Sequence, residues 1–301
     1  MKLKAFLNLI RWQNLTMLIG IQLLLKCILF KNYNIPTTLN NYEFLLLVLS
    51  TITIAAGGYI INDIFDTQTD AINKPDKVYI GPVFKRYNAI ICYLTLTTVG
   101  ISLGIYISLN INIPLASIVF ITIALLLFLY SFALKKIALI GNIVISLMIG
   151  FSIFIVGLID IVPRLDETNG IQQVHILKIV VVFSLFSFGL NLIRELIKDI
   201  EDIGGDYAAG MKTLPILIGR KRAKNIAVAL SSIFLLSFIV ILASSQSIST
   251  YVFVYGFILI VLPLLYFCYK LYFATTTTDF KKLSRILKII MLLAMLSLVL
   301  I

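Results

Sequence analysis

Long apolar runs, each about one membrane thickness, alternate with short polar connections along this 301-residue chain. A helix needs roughly 20 mostly apolar residues to cross a bilayer. Nine such runs can be laid down, near residues 14–30, 43–62, 87–108, 113–133, 138–160, 174–196, 223–243, 250–272 and 283–301. No connection between them is long enough to fold as a soluble domain. The pattern therefore predicts an all-α integral membrane protein with nine transmembrane helices, built as a single polytopic domain over residues 1–301.

Composition agrees with this: 60% of residues are hydrophobic, 13% are charged and the mean hydropathy is +1.04. A soluble domain of this size could not cover so much apolar side chain with so few charges. The placement of the cations sets the expected orientation. Twenty-one of the 25 Lys and Arg fall on the side that holds the N-terminus, and only Lys26, Lys31, Arg164 and Lys178 fall on the other. The positive-inside rule then puts the N-terminus in the cytoplasm and the C-terminus outside, in a multi-pass protein of the cell (inner) membrane. The formal net charge of +11 is explained by this topology and by contact with anionic membrane lipid, so nucleic-acid binding is not required. Met1–Gln13 reads as a basic amphipathic stretch on the membrane surface rather than a cleaved signal. Cys27, Cys92 and Cys268 show no metal-ligand or redox spacing. The single histidine, His175, falls on the outer side, which argues against histidine-based chemistry at a cytoplasmic site.

Acidic residues are the exception to the scattered polar pattern. Nine of the 14 lie in two segments that close the second and sixth runs on the cytoplasmic side. The first holds Asn62, Asp63, Asp66, Asp70 and Asp76; the second holds Glu195, Asp199, Glu201, Asp202 and Asp206. In both, aspartates recur at i, i+3 and i+7. On a continuous α-helix those positions fall within an arc of roughly 60°, which predicts three carboxylates stacked on one face. Like charges at that spacing repel, so a counter-charge is expected between them. Mg²⁺ fits, because it prefers oxygen ligands and commonly pairs carboxylates with substrate phosphates. Without sulfur or imidazole nearby, zinc or copper is disfavoured. The alternative reading is a solvated helix end that neutralises neighbouring Lys and Arg.

Other polar positions suit a phosphate-bearing ligand: Asn14 at the start of the first span, Tyr130 and Lys135 closing the fourth, Asn142 opening the fifth, and Arg194 and Lys198 among the acids of the sixth. Four helices separate the two acid runs, which implies two four-helix halves plus one further helix. The two longest inner loops, 67–86 and 203–222, follow the acid runs and read as binding loops or lids.

These residues resemble the UbiA-type intramembrane prenyltransferase superfamily. Its first signature, N-D-x-x-D-x-x-x-D, matches Asn62, Asp63, Asp66 and Asp70, and its second matches Asp199, Asp202 and Asp206. The Tyr130–Asn142 segment and the polar start of the first span at Arg11 and Asn14 match as well. The resemblance implies a lateral, lipid-lined cavity under a cytoplasmic polar cap. It also implies transfer of an isoprenyl group from a polyprenyl diphosphate donor to a lipophilic acceptor, with Mg²⁺ as cofactor and no protein partner. By the family's pattern, Asn62, Asp66, Asp199 and Asp202 are the main metal ligands, with Asp63, Asp70 and Asp206 as ligands or orienting groups. Asp66, Asp202 and Lys198 are the expected catalytic residues. Asn14, Lys77, Tyr130, Lys135, Asn142, Arg194 and Lys198 are the expected substrate contacts.

The string from Arg194 to Asp202 and the Asn73-Lys74-Pro75 element are similar to the branch that prenylates geranylgeranylglyceryl phosphate in ether-lipid synthesis. Lys77-Val78-Tyr79 departs from that branch's basic-proline element. An aromatic acceptor in quinone biosynthesis is the second reading, although the Arg-Thr and Arg-Pro steps common there are missing after Asp70. A cation transporter is a remote third; it would carry its acids near the bilayer midplane rather than at cytoplasmic helix ends.

Overall fold

A computed structural model describes residues 2–165, 170–244 and 249–301, apart from the Lys77 side chain. Among them, nine helices are long and apolar enough to cross a membrane. They run Trp12–Phe30, Asn41–Asn73, Arg86–Asn110, Pro114–Phe132, Ile140–Arg164, Gly170–Glu201, Arg220–Ser244, Thr250–Phe273 and Thr277–Leu300, each overlapping one of the apolar runs. The protein is thus a multi-pass, all-α membrane protein; its backbone groups bond within each helix, as an apolar solvent demands.

The chain divides into two compact units. The first comprises Met1–Lys135 and Phe151–Val181. It opens with a surface helix α1 (Lys2–Leu9), whose Leu3 is exposed, followed by α2 (Trp12–Leu24), which continues through a π-helical turn at Leu25–Phe30. Next come α3 (Asn41–Asn73), α4 (Arg86–Asn110) and α5 (Ser117–Phe132). A capping box starts α3: the Asn40 side chain accepts from Glu43 N, and the Glu43 carboxylate accepts from Asn40 N, both at 2.9 Å. At 33 residues α3 is about 50 Å long, well beyond the ~30 Å of hydrocarbon. About 20 residues suffice to cross, so α3 is longer than a crossing needs, and its polar residues from Asn62 onward lie toward its C-terminal end.

Close helix packing in this unit rests on small residues. A Cβ on Gly104 of α4 would stand 2.3 Å from the Phe120 ring of α5, so only a hydrogen fits there. Apolar side chains such as Ile91, Leu94, Ile118 and Leu125 remain exposed on α4 and α5, as a lipid-facing surface should be.

The second unit comprises Lys136–Gly150 and Val182–Ile301. It takes the first part of α6 (Ile140–Asp160) and the last part of α7 (Gly170–Glu201), then α8 (Ile203–Ala208), α9 (Leu214–Ile218), α10 (Arg220–Ser244), α11 (Thr250–Gly256), α12 (Leu262–Phe273) and α13 (Thr277–Leu296). A π-helical turn at Phe257–Val261 joins α11 to α12 just ahead of Pro263, whose ring and missing N–H disturb the preceding helical turn. Its core is formed by Leu190, Ile193 and Ile197 of α7 with Ala227 of α10, Phe267 of α12 and Phe280 of α13. The boundary between the units crosses α6 and α7 in mid-helix instead of following the order of four helices, four helices and one.

Candidate active site

In the first unit, all three aspartates of the first run lie on α3, as their spacing predicts. Each nevertheless meets a different environment. Asp66 is gripped at both oxygens. The amide of Asn62, one turn earlier, donates to Oδ2 at 2.8 Å, and Lys135 Nζ donates to Oδ1 at 2.5 Å. Lys135 also lies 3.4 Å from Asn62 Oδ1. It stands on the 3₁₀ turn Leu134–Lys136 that follows α5, with its side chain only 8% exposed. An ammonium so far from water persists only beside an anion.

Asp63 has its own cation. α1 ends at Leu9, and Arg11 takes the left-handed conformation with φ +51°, a strained choice for a residue with a Cβ. The turn it makes brings the guanidinium 3.2 Å from Asp63 Oδ1 and 4.8 Å above the ring of Tyr59, one turn back on α3. Asn14 donates to the Tyr59 hydroxyl at 3.3 Å, so it supports this assembly without touching an acid. Asp70 lies one turn beyond Asp66, half-buried, with no side-chain hydrogen bond among the described residues. Tyr130 is half-buried in the last turn of α5. Lys77 lies on the 3₁₀ turn Pro75–Lys77, and its side chain is outside the described residues.

In the second unit, Asp199 on α7 accepts a 2.9 Å hydrogen bond from the amide of Asn142 in the first turn of α6. Arg194 and Lys198 converge on Glu195: Arg194 Nη1 lies 3.1 Å from Oε1, and Lys198 Nζ lies 2.8 and 3.0 Å from the two oxygens. One correction follows for the second run. Asp199, Asp202 and Asp206 do not share one helical face, because α7 ends at Glu201, Asp202 takes φ −95° and ψ 9°, and Asp206 belongs to α8, where it is buried. Gly204 and Gly205 lie in the first turn of α8, where each costs about 1 kcal/mol relative to alanine in a helix interior, so this short helix is a weak continuation of α7. The break itself falls at Asp202, between α7 and α8.

A model of the UbiA prenyltransferase family matches residues 28–296. The chain belongs to the UbiA prenyltransferase family. Among relatives, the digeranylgeranylglyceryl phosphate synthase of Methanosphaera stadtmanae is 31% identical over 261 residues, covering 85% of this chain and 87% of that one. The enzyme of the same name from Thermococcus kodakarensis is 33% identical over 168 residues, or 56% of this chain; there the chain spans about half, 54%, of the relative's length. A solved structure described as digeranylgeranylglyceryl phosphate synthase in membranes superposes with a TM-score of 0.63 at 27% identity, covering 99% of this chain and 98% of that one. A UbiA homolog from Archaeoglobus fulgidus bound to GPP and Mg²⁺ superposes with a TM-score of 0.60 at 14% identity, over 99% of this chain and all of the other, which shows a shared fold.

The donor set can be weighed against the Mg²⁺ that the UbiA family implies. Among the described residues no three acidic, His or Cys side chains converge closely enough to enclose an ion. On one helix this is expected, since Asp63 and Asp70 are about 10 Å apart along the axis. Mg²⁺ does not need such an enclosure: it is usually bound by one or two carboxylates, with water and substrate phosphate completing the octahedron. The carboxylates and amides present are hard oxygen donors and fit that mode.

Three groups beside the acid runs stand out in the fold far more than in the sequence. Arg11 reads there only as a polar start to the first span, although its partner Asp63 is the motif's own. Tyr59 has a legible signal: it precedes Asp63 by four residues and so shares its face. Glu195, which gathers Arg194 and Lys198, is one acid among several in the pattern, with nothing to mark its role.

Proposed function

We propose that the chain transfers an isoprenyl group from an allylic diphosphate to a lipophilic acceptor, with geranylgeranylglyceryl phosphate as that acceptor. The observation that carries this reading is Asp66 held between Asn62 and Lys135. An acid, an amide and a nearly buried ammonium at the end of an overlong membrane helix suit a ligand that combines diphosphate with a lipid tail. Asn62, Asp63, Asp66 and Asp70 on one run, and Asp199, Asp202 and Asp206 on the other, are the groups that would hold Mg²⁺. When bound, the metal neutralises charge on the departing diphosphate.

The chain's own residues do the remainder. In the first unit Lys135 and Arg11 supply fixed positive charge for a leaving group that gathers negative charge; in the second, Arg194 and Lys198 are the cations beside the acids of α7. As the allylic C–O bond breaks, its electron pair leaves with the diphosphate. The acceptor hydroxyl oxygen then forms the new C–O bond and gives up its proton. Phe65, Phe128 and Phe132, with ring centroids 5.7–6.2 Å apart beside the first run, offer π faces to a developing allylic cation. The cation distribution supports an orientation in which both acid runs face the cytoplasm.

The test is prenyl transfer by purified protein in detergent, with geranylgeranyl diphosphate and Mg²⁺, offering geranylgeranylglyceryl phosphate and 4-hydroxybenzoate in parallel. Mass spectrometry should find product from the phosphorylated glycerol ether alone. Product from the aromatic acid alone would move the enzyme to quinone synthesis. No EDTA-sensitive diphosphate release with either acceptor would overturn the proposal.

A further inference from the structure

Between α6 and α7 the second unit contains a short polar seam that the acid motifs do not account for. Asn142 donates to Asp199 Oδ2 at 2.9 Å. One helical turn deeper along α6, Ser146 Oγ donates to the Asn142 carbonyl at 2.6 Å. Asn191 Nδ2 of α7 in turn donates to Ser146 Oγ at 3.2 Å. Asn142, Ser146 and Asn191 are 7%, 0% and 1% exposed, so water can replace neither bond of Ser146. Next along the same pair of helices, a Cβ on Gly150 would lie 2.8 Å from the Ser184 carbonyl oxygen. The two backbones thus approach closely, and their register is set.

The entry to α6 is built with similar care. Leu139, immediately before the helix, holds φ +64°, a conformation that side chains with a Cβ adopt at a cost. Lys212 N donates to the Lys136 carbonyl at 2.9 Å and ties this turn to the chain beyond α8. Asn142 therefore stands at a height fixed from both ends, by the strained turn before it and by the Ser146–Asn191 pair behind it. Its amide makes the one hydrogen bond of the Asp199 carboxylate among the described residues, and Oδ1 is left without one.

We infer that Asn191 and Ser146 are positioning residues that act through Asn142 to hold the Asp199 carboxylate in one orientation for a divalent cation. The inference rests on the reading of Asp199 as a metal ligand. It extends that reading to two neutral side chains outside both acid motifs. Groups that orient a ligand are commonly worth 10- to 100-fold in metal affinity, whereas a polar pair that merely joins two membrane helices contributes to stability alone.

The experiment measures Mn²⁺ binding by electron paramagnetic resonance in the presence of inorganic pyrophosphate, with unfolding of the metal-free protein followed alongside. Asn191→Leu and Ser146→Ala should each weaken Mn²⁺ binding about 10-fold or more, and the double variant should be no worse than the weaker single one. The Mg²⁺ concentration for half-maximal turnover should rise in parallel, while the donor KM at saturating Mg²⁺ holds. Should Asn191→Leu fail to fold, Ser146→Ala interrupts the same relay with a smaller change. Wild-type Mn²⁺ affinity in variants whose unfolding midpoint falls would overturn the inference. Asp199→Ala separates the two levels: if it loses Mn²⁺ while the relay variants bind normally, the positioning role alone fails. If Asp199→Ala binds Mn²⁺ as the wild type does, the metal reading fails and the inference with it.

Discussion

The pair Lys26–Asp160 provides a direct test of how charge is held inside the first unit. Lys26 lies in the π-helical turn that ends the first span, and its Nζ donates to Asp160 Oδ2 at 2.7 Å, the Leu39 carbonyl at 2.7 Å and Thr37 Oγ1 at 2.9 Å. All three ammonium hydrogens are used. Asp160, fully buried at the end of α6, also accepts from Leu39 N at 2.7 Å. Lys26→Met removes the cation and leaves a carboxylate in a water-free site with only backbone donors. Breaking a buried pair from one side costs about 3–5 kcal/mol, and the bonds lost at Leu39 and Thr37 add about 1 kcal/mol. At about 2–4 °C per kcal/mol, the scale of globular chains of similar size, the unfolding midpoint in detergent should fall by about 8–24 °C. The double variant Lys26→Met/Asp160→Asn buries no charge and keeps an acceptor for Leu39 N. It should therefore recover part of the loss, for a coupling of about 2–3 kcal/mol. The assay is a double-mutant cycle by thermal melting. A single Lys26→Met variant within 1 °C of the wild type, or a double variant whose loss equals the sum of the singles, would refute the reasoning.

Three further outcomes are expected. Asp66→Ala and Asp202→Ala should abolish prenyl transfer while circular dichroism still reports a folded helical protein; full activity in either would remove the two acid runs from the proposed mechanism. EDTA should stop diphosphate release, and added Mg²⁺ should restore it; turnover in metal-free buffer would count against the donor set. Gly104→Ala should lower the unfolding midpoint by an amount equivalent to about 1–3 kcal/mol, because its Cβ would meet the Phe120 ring at 2.3 Å; an unchanged midpoint would mean that α4 and α5 can separate without loss.

Much of the site is legible in the amino-acid sequence. Asn62 and Asp66 are one turn apart on an apolar helix, so their mutual hydrogen bond follows from helical geometry. Asp63, Asp66 and Asp70 follow the same rule and lie on α3 as expected. The rule fails at Asp202, where α7 gives way to α8 two residues ahead of Gly204 and Gly205. The two glycines are a signal in their own right, but the regular aspartate spacing conceals it. Arg11 gives less warning, because a left-handed arginine has no sequence signature comparable to that of glycine or asparagine.

Partition into hydrocarbon is a local property that adds up residue by residue, so the amino-acid sequence by itself determined the membrane helices found among the described residues and the helices that carry the acids. Pairing between distant polar groups is decided by packing, which no local pattern encodes. Lys135 meets Asp66 across 69 positions, Lys26 meets Asp160 across 134, and Asn191 reaches Ser146 across 45. Each pair forms because a buried polar group must find a partner, and only the tertiary structure decides which one lies within reach.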